Sequence, residues 1–213
     1  MFLLTVENEY YAVAAQVQKR SNTIFRALLA QFQKIREKGT KISKIYLTGH
    51  SMGGALATAV YLKFLYSSQG NTLPCTPKVF TFNSPLVVQN TSKQAIRGEG
   101  QVINVIYQLD PIARILGHHS KILDLITPSA KHKDFKKILE NLRAYHLYGK
   151  YYLVTGGSSN LEAKICELDN PSETLGRSLP LAAAKSYADH SMTKVHKAIR
   201  VLFDGRKRRR REF

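Results

Sequence analysis

A chain of 213 residues with 44% hydrophobic content has room for one buried core and carries no sign of a second. Its formal charge of +17 exceeds what a solvated face requires and implies a partner of negative charge. No apolar run approaches the roughly 18 residues that span a bilayer, and Met1-Phe-Leu-Leu-Thr5 is too short for a signal peptide. Cys75 and Cys166 stand in no ligand spacing, which excludes a disulfide framework or a zinc site and predicts reduced thiols in a cytoplasmic protein that is free to associate with a membrane surface.

From Glu7 to Lys38, Tyr10, Ala14, Val17, Ile24, Leu28, Phe32 and Ile35 recur in steps of three, four or seven, the spacing of one helix face. Arg36 and Lys38 in the last turn and Gly39 after it are a helix stop. Ile42, Ile45, Tyr46 and Leu47 then form a short β-prone run. Ala55 to Tyr66 is rich in helix formers, Ser67-Ser-Gln-Gly70 ends that helix, and Asn71 to Pro77 is a loop. Val79 to Phe82 and Val102 to Leu109 read as buried parallel strands, separated by a polar stretch containing Arg97, Gly98 and Gly100. Ile112 to Ala144 is long and basic, and Asp134 followed by Phe135, Ile138, Leu139 and Leu142 predicts an N-capped amphipathic helix within it. Tyr151 to Thr155 and Ala163 to Leu168, joined through Gly156-Gly-Ser-Ser-Asn160, read as a hairpin. A last helix is expected to cap at Asp189 and run to Phe203, burying Met192, Val195, Ile199 and Leu202. Asp204-Gly205 should stop it, which divides the chain into a domain over 1–205 and a basic tail over 206–213, six of whose residues, Arg206 to Arg211, are cations.

At the junction of the first predicted strand and the second helix stands Gly49-His50-Ser51-Met52-Gly53, a G-x-S-x-G. The bare pattern arises by chance in roughly one chain of this length in fourteen. An apolar strand before it and Gly54-Ala55-Leu56-Ala57 opening a helix after it remove most such coincidences, so Ser51 reads as the serine of a nucleophile elbow. There the serine sits on a strained turn, and glycine two residues before and after supplies clearance where strand and helix cross.

These residues resemble the class 3 lipases, fungal lipase-like α/β hydrolases whose elbow typically reads Gly-His-Ser-Leu-Gly-Gly-Ala. The resemblance extends over roughly residues 40–200. Lys78-Val-Phe-Thr-Phe-Asn-Ser-Pro85 looks like the family's next strand and its Gly-x-Pro turn, with Asn83 in place of the usual glycine. Val102 to Ile112 looks like the strand that delivers the family's acid, Tyr145-His-Leu-Tyr-Gly149 like its His-x-x-Gly segment, and Asp189-His190-Ser191 like its Asp-His-Leu segment. The resemblance implies an α/β-hydrolase fold, a mostly parallel central sheet flanked by helices.

A serine hydroxyl becomes a nucleophile when a neutral imidazole removes its proton and a carboxylate holds that imidazole in the right tautomer. In α/β hydrolases the order along the chain is Ser, Asp, His. Asp110 follows a predicted buried strand, at the edge where α/β sheets carry their sites, whereas Asp124, Asp134, Asp169 and Asp204 fall on charged or loop stretches. Among seven histidines, His50 is inside the elbow, His118, His119 and His132 fall in the basic insertion and His196 is deep in the last helix. His146 and His190 remain. His146 matches a family segment that is structural, and His190 is expected in the first turn of a helix, where the dipole disfavours the imidazolium.

The backbone N–H of Met52 supplies one oxyanion donor. The family takes its second from a segment like Phe-Arg-Gly-Thr, and no such segment lies between Met1 and Thr40. On this resemblance the chain is N-terminally shortened, and Thr5 is a weak stand-in. The expectation is a carboxylic ester hydrolase resembling triacylglycerol lipases, acting on lipid esters through Ser51, Asp110 and His190 with no cofactor and no metal. The alternative is a catalytically impaired lipase-like protein that binds anionic membranes or nucleic acid through its basic surface.

Overall fold

The computed structural model describes residues 2–68, 73–85, 88–89, 98–108, 110, 145–156, 163–171, 174–175 and 187–209. The helix expected from Asp134 and the histidines His118, His119 and His132 lie outside them. In chain order the elements are α1 (Phe2–Glu37), β1 (Tyr46–His50), α2 (Met52–Tyr66), β2 (Lys78–Phe82), β3 (Val88–Gln89), a 3-10 turn (Glu99–Gln101) and β4 (Val102–Tyr107). They continue as β5 (Tyr145–His146), β6 (Lys150–Thr155), β7 (Lys164–Glu167), a second 3-10 turn (Tyr187–His190) and α3 (Met192–Arg209).

The main sheet has the order β1-β2-β4-β6-β7. β1, β2, β4 and β6 are mutually parallel, and β7 returns antiparallel to β6 as the expected hairpin. Alternation along the strands sorts the core into two faces. Leu47, Val79 and Val102 face Ala57 and Tyr61 of α2. Ile103, Val105 and Tyr107 face Val195, Ala198, Ile199 and Leu202 of α3 on the other side. Val79, Val102 and Val154 are fully buried, each contributing roughly 1.5–3 kcal/mol, and this explains why β2 and β4 read as near-continuous apolar runs.

α1 packs on the outer side of α2, with Phe25 and Phe64 in ring contact at 4.7 Å. Its packed stripe includes Val17, Leu28 and Phe32, as expected, but Ser21 and Phe25 are buried in it and Ile24 is exposed. Ser21 is tolerated in that stripe because its hydroxyl donates to the Gln18 carbonyl one turn back. α1 starts well before Glu7, so Thr5 lies within a helix and not on a loop following a strand. The stop at Gly39 is as expected, with φ at +70°. The strand of the elbow begins at Tyr46 rather than Ile42.

At the C-terminal end the expected boundary shifts. α3 continues through Asp204-Gly205 to Arg209, and Met192 at its start is exposed rather than buried. Among the described residues, no helix is long and apolar enough to cross a membrane.

Candidate active site

The parallel strands end at one edge of the sheet, and the first residue beyond three of them has a left-handed backbone. Ser51 after β1 has φ 53°, Asn83 after β2 has φ 49°, and Gln108 after β4 has φ 43°. Their amides extend the ladder across the sheet: Ser51 donates to the Phe82 carbonyl at 2.9 Å, Asn83 to Val105 at 2.9 Å and Gln108 to Val154 at 2.8 Å. Each strand is thus paired to its last residue and then turned sharply, which lifts the next side chain out of the pleat.

At Ser51 the turn leads directly into α2, whose Gly54 and Ala55 amides donate to the Ser51 carbonyl. The strand-to-helix elbow is therefore present. Clearance is not shared equally by its glycines, however. A Cβ on Gly49 would stand 2.1 Å from the Gly53 carbonyl carbon and oxygen, and one on Gly54 would stand 2.8 Å from Ser84, whereas one on Gly53 would meet nothing within 4 Å. The crossing needs a bare Cα at Gly49, and the part Gly53 plays is its backbone.

Asp110 follows the Gln108 turn, fully buried, its amide donating to the Tyr107 carbonyl at 3.0 Å. His190 closes the 3-10 turn that precedes α3. Its Nδ1 lies 2.7 Å from Asp110 Oδ2, and its Nε2 lies 2.8 Å from Ser51 Oγ. A carboxylate only accepts, so Nδ1 carries the ring proton, and the Nε2 lone pair is left facing the serine hydroxyl. Ser51, Asp110 and His190 are brought together from three segments, the serine and the histidine lying 139 positions apart in sequence. His146 instead lies on β5, paired with Val88 of β3.

His190 is not in the first turn of a helix, as expected, but before one. Ser191 takes the cap position of α3, its carbonyl accepting from Lys194 and Val195. Asp189 is tied from the side, 3.3 Å from the Lys194 ammonium. Met52 is the first residue of α2, where an N–H has no acceptor within its own helix.

Two further residues belong to this edge. The His50 ring lies 4.9 Å from that of His190, and its Nε2 is buried without a partner among the described residues. Burial, and after it the proximity of His190, pushes the His50 imidazole below its ordinary value. The fully buried Asn83 accepts from the Tyr107 amide at 2.8 Å and donates to the Asp189 carbonyl at 3.0 Å. Asparagine is among the non-glycine residues that best tolerate a left-handed backbone, so its presence where the family has glycine was the available signal for that turn.

Residues 4–119, more than half of the chain, match the family described as lipase (class 3). The chain belongs to the class 3 lipase family. Among solved structures it is similar to lipase II from Rhizopus niveus, at 18% identity and a TM-score of 0.50, covering 84% of this chain and 56% of that one. Rhizomucor miehei triacylglyceride lipase, at 16% identity and a TM-score of 0.46, is covered to the same extent. At such identity the likeness is one of fold, and it is that of an α/β hydrolase. The chain spans a little over half the length of each of these lipases. No curated protein matches the sequence.

Proposed function

We propose that this class 3 lipase family member is a serine hydrolase that cleaves carboxylic esters of lipids through an acyl-enzyme on Ser51. The single observation that carries the reading is the unbroken pair of hydrogen bonds from Ser51 Oγ through His190 to Asp110, at 2.8 and 2.7 Å. In this reading His190 Nε2 accepts the hydroxyl proton as Ser51 Oγ attacks the ester carbonyl, and Asp110 stabilises the imidazolium that forms. The oxygen of the tetrahedral intermediate takes the Met52 N–H. The C–O bond to the alcohol breaks as His190 returns the proton to it, and water then releases the acid by the same route. Loss of one oxyanion donor typically costs about 10²- to 10³-fold in kcat, which is the weight this reading gives to the Met52 N–H.

The substrate surface is proposed from charge. Six adjacent cations, Arg206 to Arg211, begin within the end of α3, which runs to Arg209, and they suit the protein to an anionic lipid interface.

A fluorophosphonate probe tests the chemistry, because it phosphonylates a serine only when the hydroxyl is activated. Labelling of the wild type that disappears in Ser51→Ala, together with turnover of a short-chain nitrophenyl ester, is the expected result. Absence of labelling in a folded wild type refutes the hydrolase and leaves a lipase-like binding protein.

A further inference from the structure

We propose that Asn83 is a positioning residue that fixes Asp110 and His190 relative to one another. The inference rests on the reading of Ser51, Asp110 and His190 as the reacting groups. Asn83 stands at the centre of the edge where those groups meet, because β2 lies between β1, which delivers Ser51, and β4, which leads to Asp110.

A parallel ladder fixes what its backbone would otherwise do. After the Asn83 amide has donated to Val105, the next bond would run from the Tyr107 amide to the residue-83 carbonyl. In this structure the Tyr107 amide donates instead to the Asn83 side chain, at Oδ1. The left-handed turn at φ 49° withdraws the backbone carbonyl from the ladder, and the amide oxygen takes its place. The same side chain, fully buried, then uses its other end: Nδ2 donates to the carbonyl of Asp189, 106 residues away and directly before His190. One planar amide therefore holds the end of the strand that leads to the acid and the turn that bears the base, with its acceptor on one and its donor on the other.

Asn83 is also the one left-handed residue of the three with no part in the chemistry or in the turn leading directly to the acid. A strained, buried polar residue in such a place is accounted for by what it holds. Glycine at this position would adopt the turn and make neither bond. Aspartate would keep the acceptor for the Tyr107 amide but would set a carboxylate oxygen against the Asp189 carbonyl.

Asn83→Gly and the nearly isosteric Asn83→Asp test this, with folding followed by circular dichroism and turnover measured where each variant is folded. In both, kcat on a soluble nitrophenyl ester is expected to fall by about 10²-fold, with KM unchanged, as for reacting groups displaced by about an ångström. A purely structural role lowers the melting temperature and leaves kcat alone, and that result overturns the proposal. If Asn83→Gly fails to fold, Asn83→Asp carries the test. Proton NMR of the imidazole N–H of His190 separates this inference from the hydrolase reading. Its far-downfield resonance, due to the short bond to Asp110, is expected to shift or vanish in both variants whether or not the wild type turns over ester. A resonance identical to that of the wild type overturns the positioning role even in an active enzyme.

Discussion

Replacing the two outer glycines of the elbow by alanine, one at a time, should give opposite results. At Gly49 the new methyl would lie 2.1 Å from both the carbonyl carbon and oxygen of Gly53 and 2.5 Å from the Gly54 nitrogen. Ordinary contacts begin at roughly 3.5 Å, so the overlap is about 1.4 Å at two atoms. All three are backbone, and no side chain can rotate to relieve them. Overpacking of this kind costs about 1–3 kcal/mol, and the rigidity of the crossing puts Gly49→Ala at the upper end. For a chain of this size that lowers the melting temperature by about 6–12 °C. At Gly53 the methyl would meet nothing within 4 Å, and the residue is helical. Alanine exceeds glycine by up to ~1 kcal/mol in a helix, so Gly53→Ala should match or exceed the wild type by about 2–4 °C. Thermal melts followed by far-UV circular dichroism decide it. Equal destabilisation by both substitutions, or an unchanged melt for Gly49→Ala, would refute the one-sided crossing.

Asp110→Asn keeps the shape of the buried acid but favours the wrong imidazole tautomer, so kcat should fall by about 10⁴-fold with the fold intact; activity within tenfold of wild type would contradict the role of Asp110. Burial and the neighbouring His190 hold His50 below its ordinary value of 6.5, so its proton binds more readily in the unfolded chain. The associated stability is complete above about pH 6.5 and declines as the pH falls towards the folded-state value; urea midpoints between about pH 7 and pH 5 should drop less steeply in His50→Gln, and parallel curves would exclude the effect. Deleting residues 206–213 should weaken binding to anionic vesicles at low salt, each cation contributing on the order of 1 kcal/mol, and leave hydrolysis of a soluble ester unchanged. Equal vesicle binding by the truncated chain would remove the tail from any part in membrane attraction.

What could be read in the sequence was what local chemistry decides. β2, β4 and β6 show as apolar, β-prone runs because alternate or successive positions in them are buried in the sheet, whereas β7, exposed along its whole length, shows only through the glycine-rich turn before it, and the elbow shows because its glycine and serine requirements are local. The stripe of α1 is legible at Val17, Leu28 and Phe32 and differs at one position, since Ile24 and Phe25 both continue a helical spacing and only the ring of Phe64, on another element, selects between them. Asp204-Gly205 looked like a stop, yet a glycine in helical conformation costs only about 1 kcal/mol, and α3 passes through it. The helix expected to begin at Asp189 begins after Ser191, which was readable: serine immediately before Met192 is itself a preferred cap.

That displacement bears on how His190 is held. Were His190 inside α3, its ring would be fixed by the helix and would share the orientation of Lys194, one turn on. In the 3-10 turn its backbone is held from outside the helix, by Asn83 on the Asp189 carbonyl, while the Lys194 ammonium holds the Asp189 side chain. Three left-handed residues at three strand ends each carry strain of about 1–3 kcal/mol, and they persist because the ladder amides on either side over-determine them. A sheet edge built this way directs Ser51 from β1 and Asp110 from beyond β4 towards one point, with a strand's width between them for an imidazole. The histidine can then come from any later segment that reaches the gap. What this chain adds is a side chain on the middle strand that fastens that segment in place.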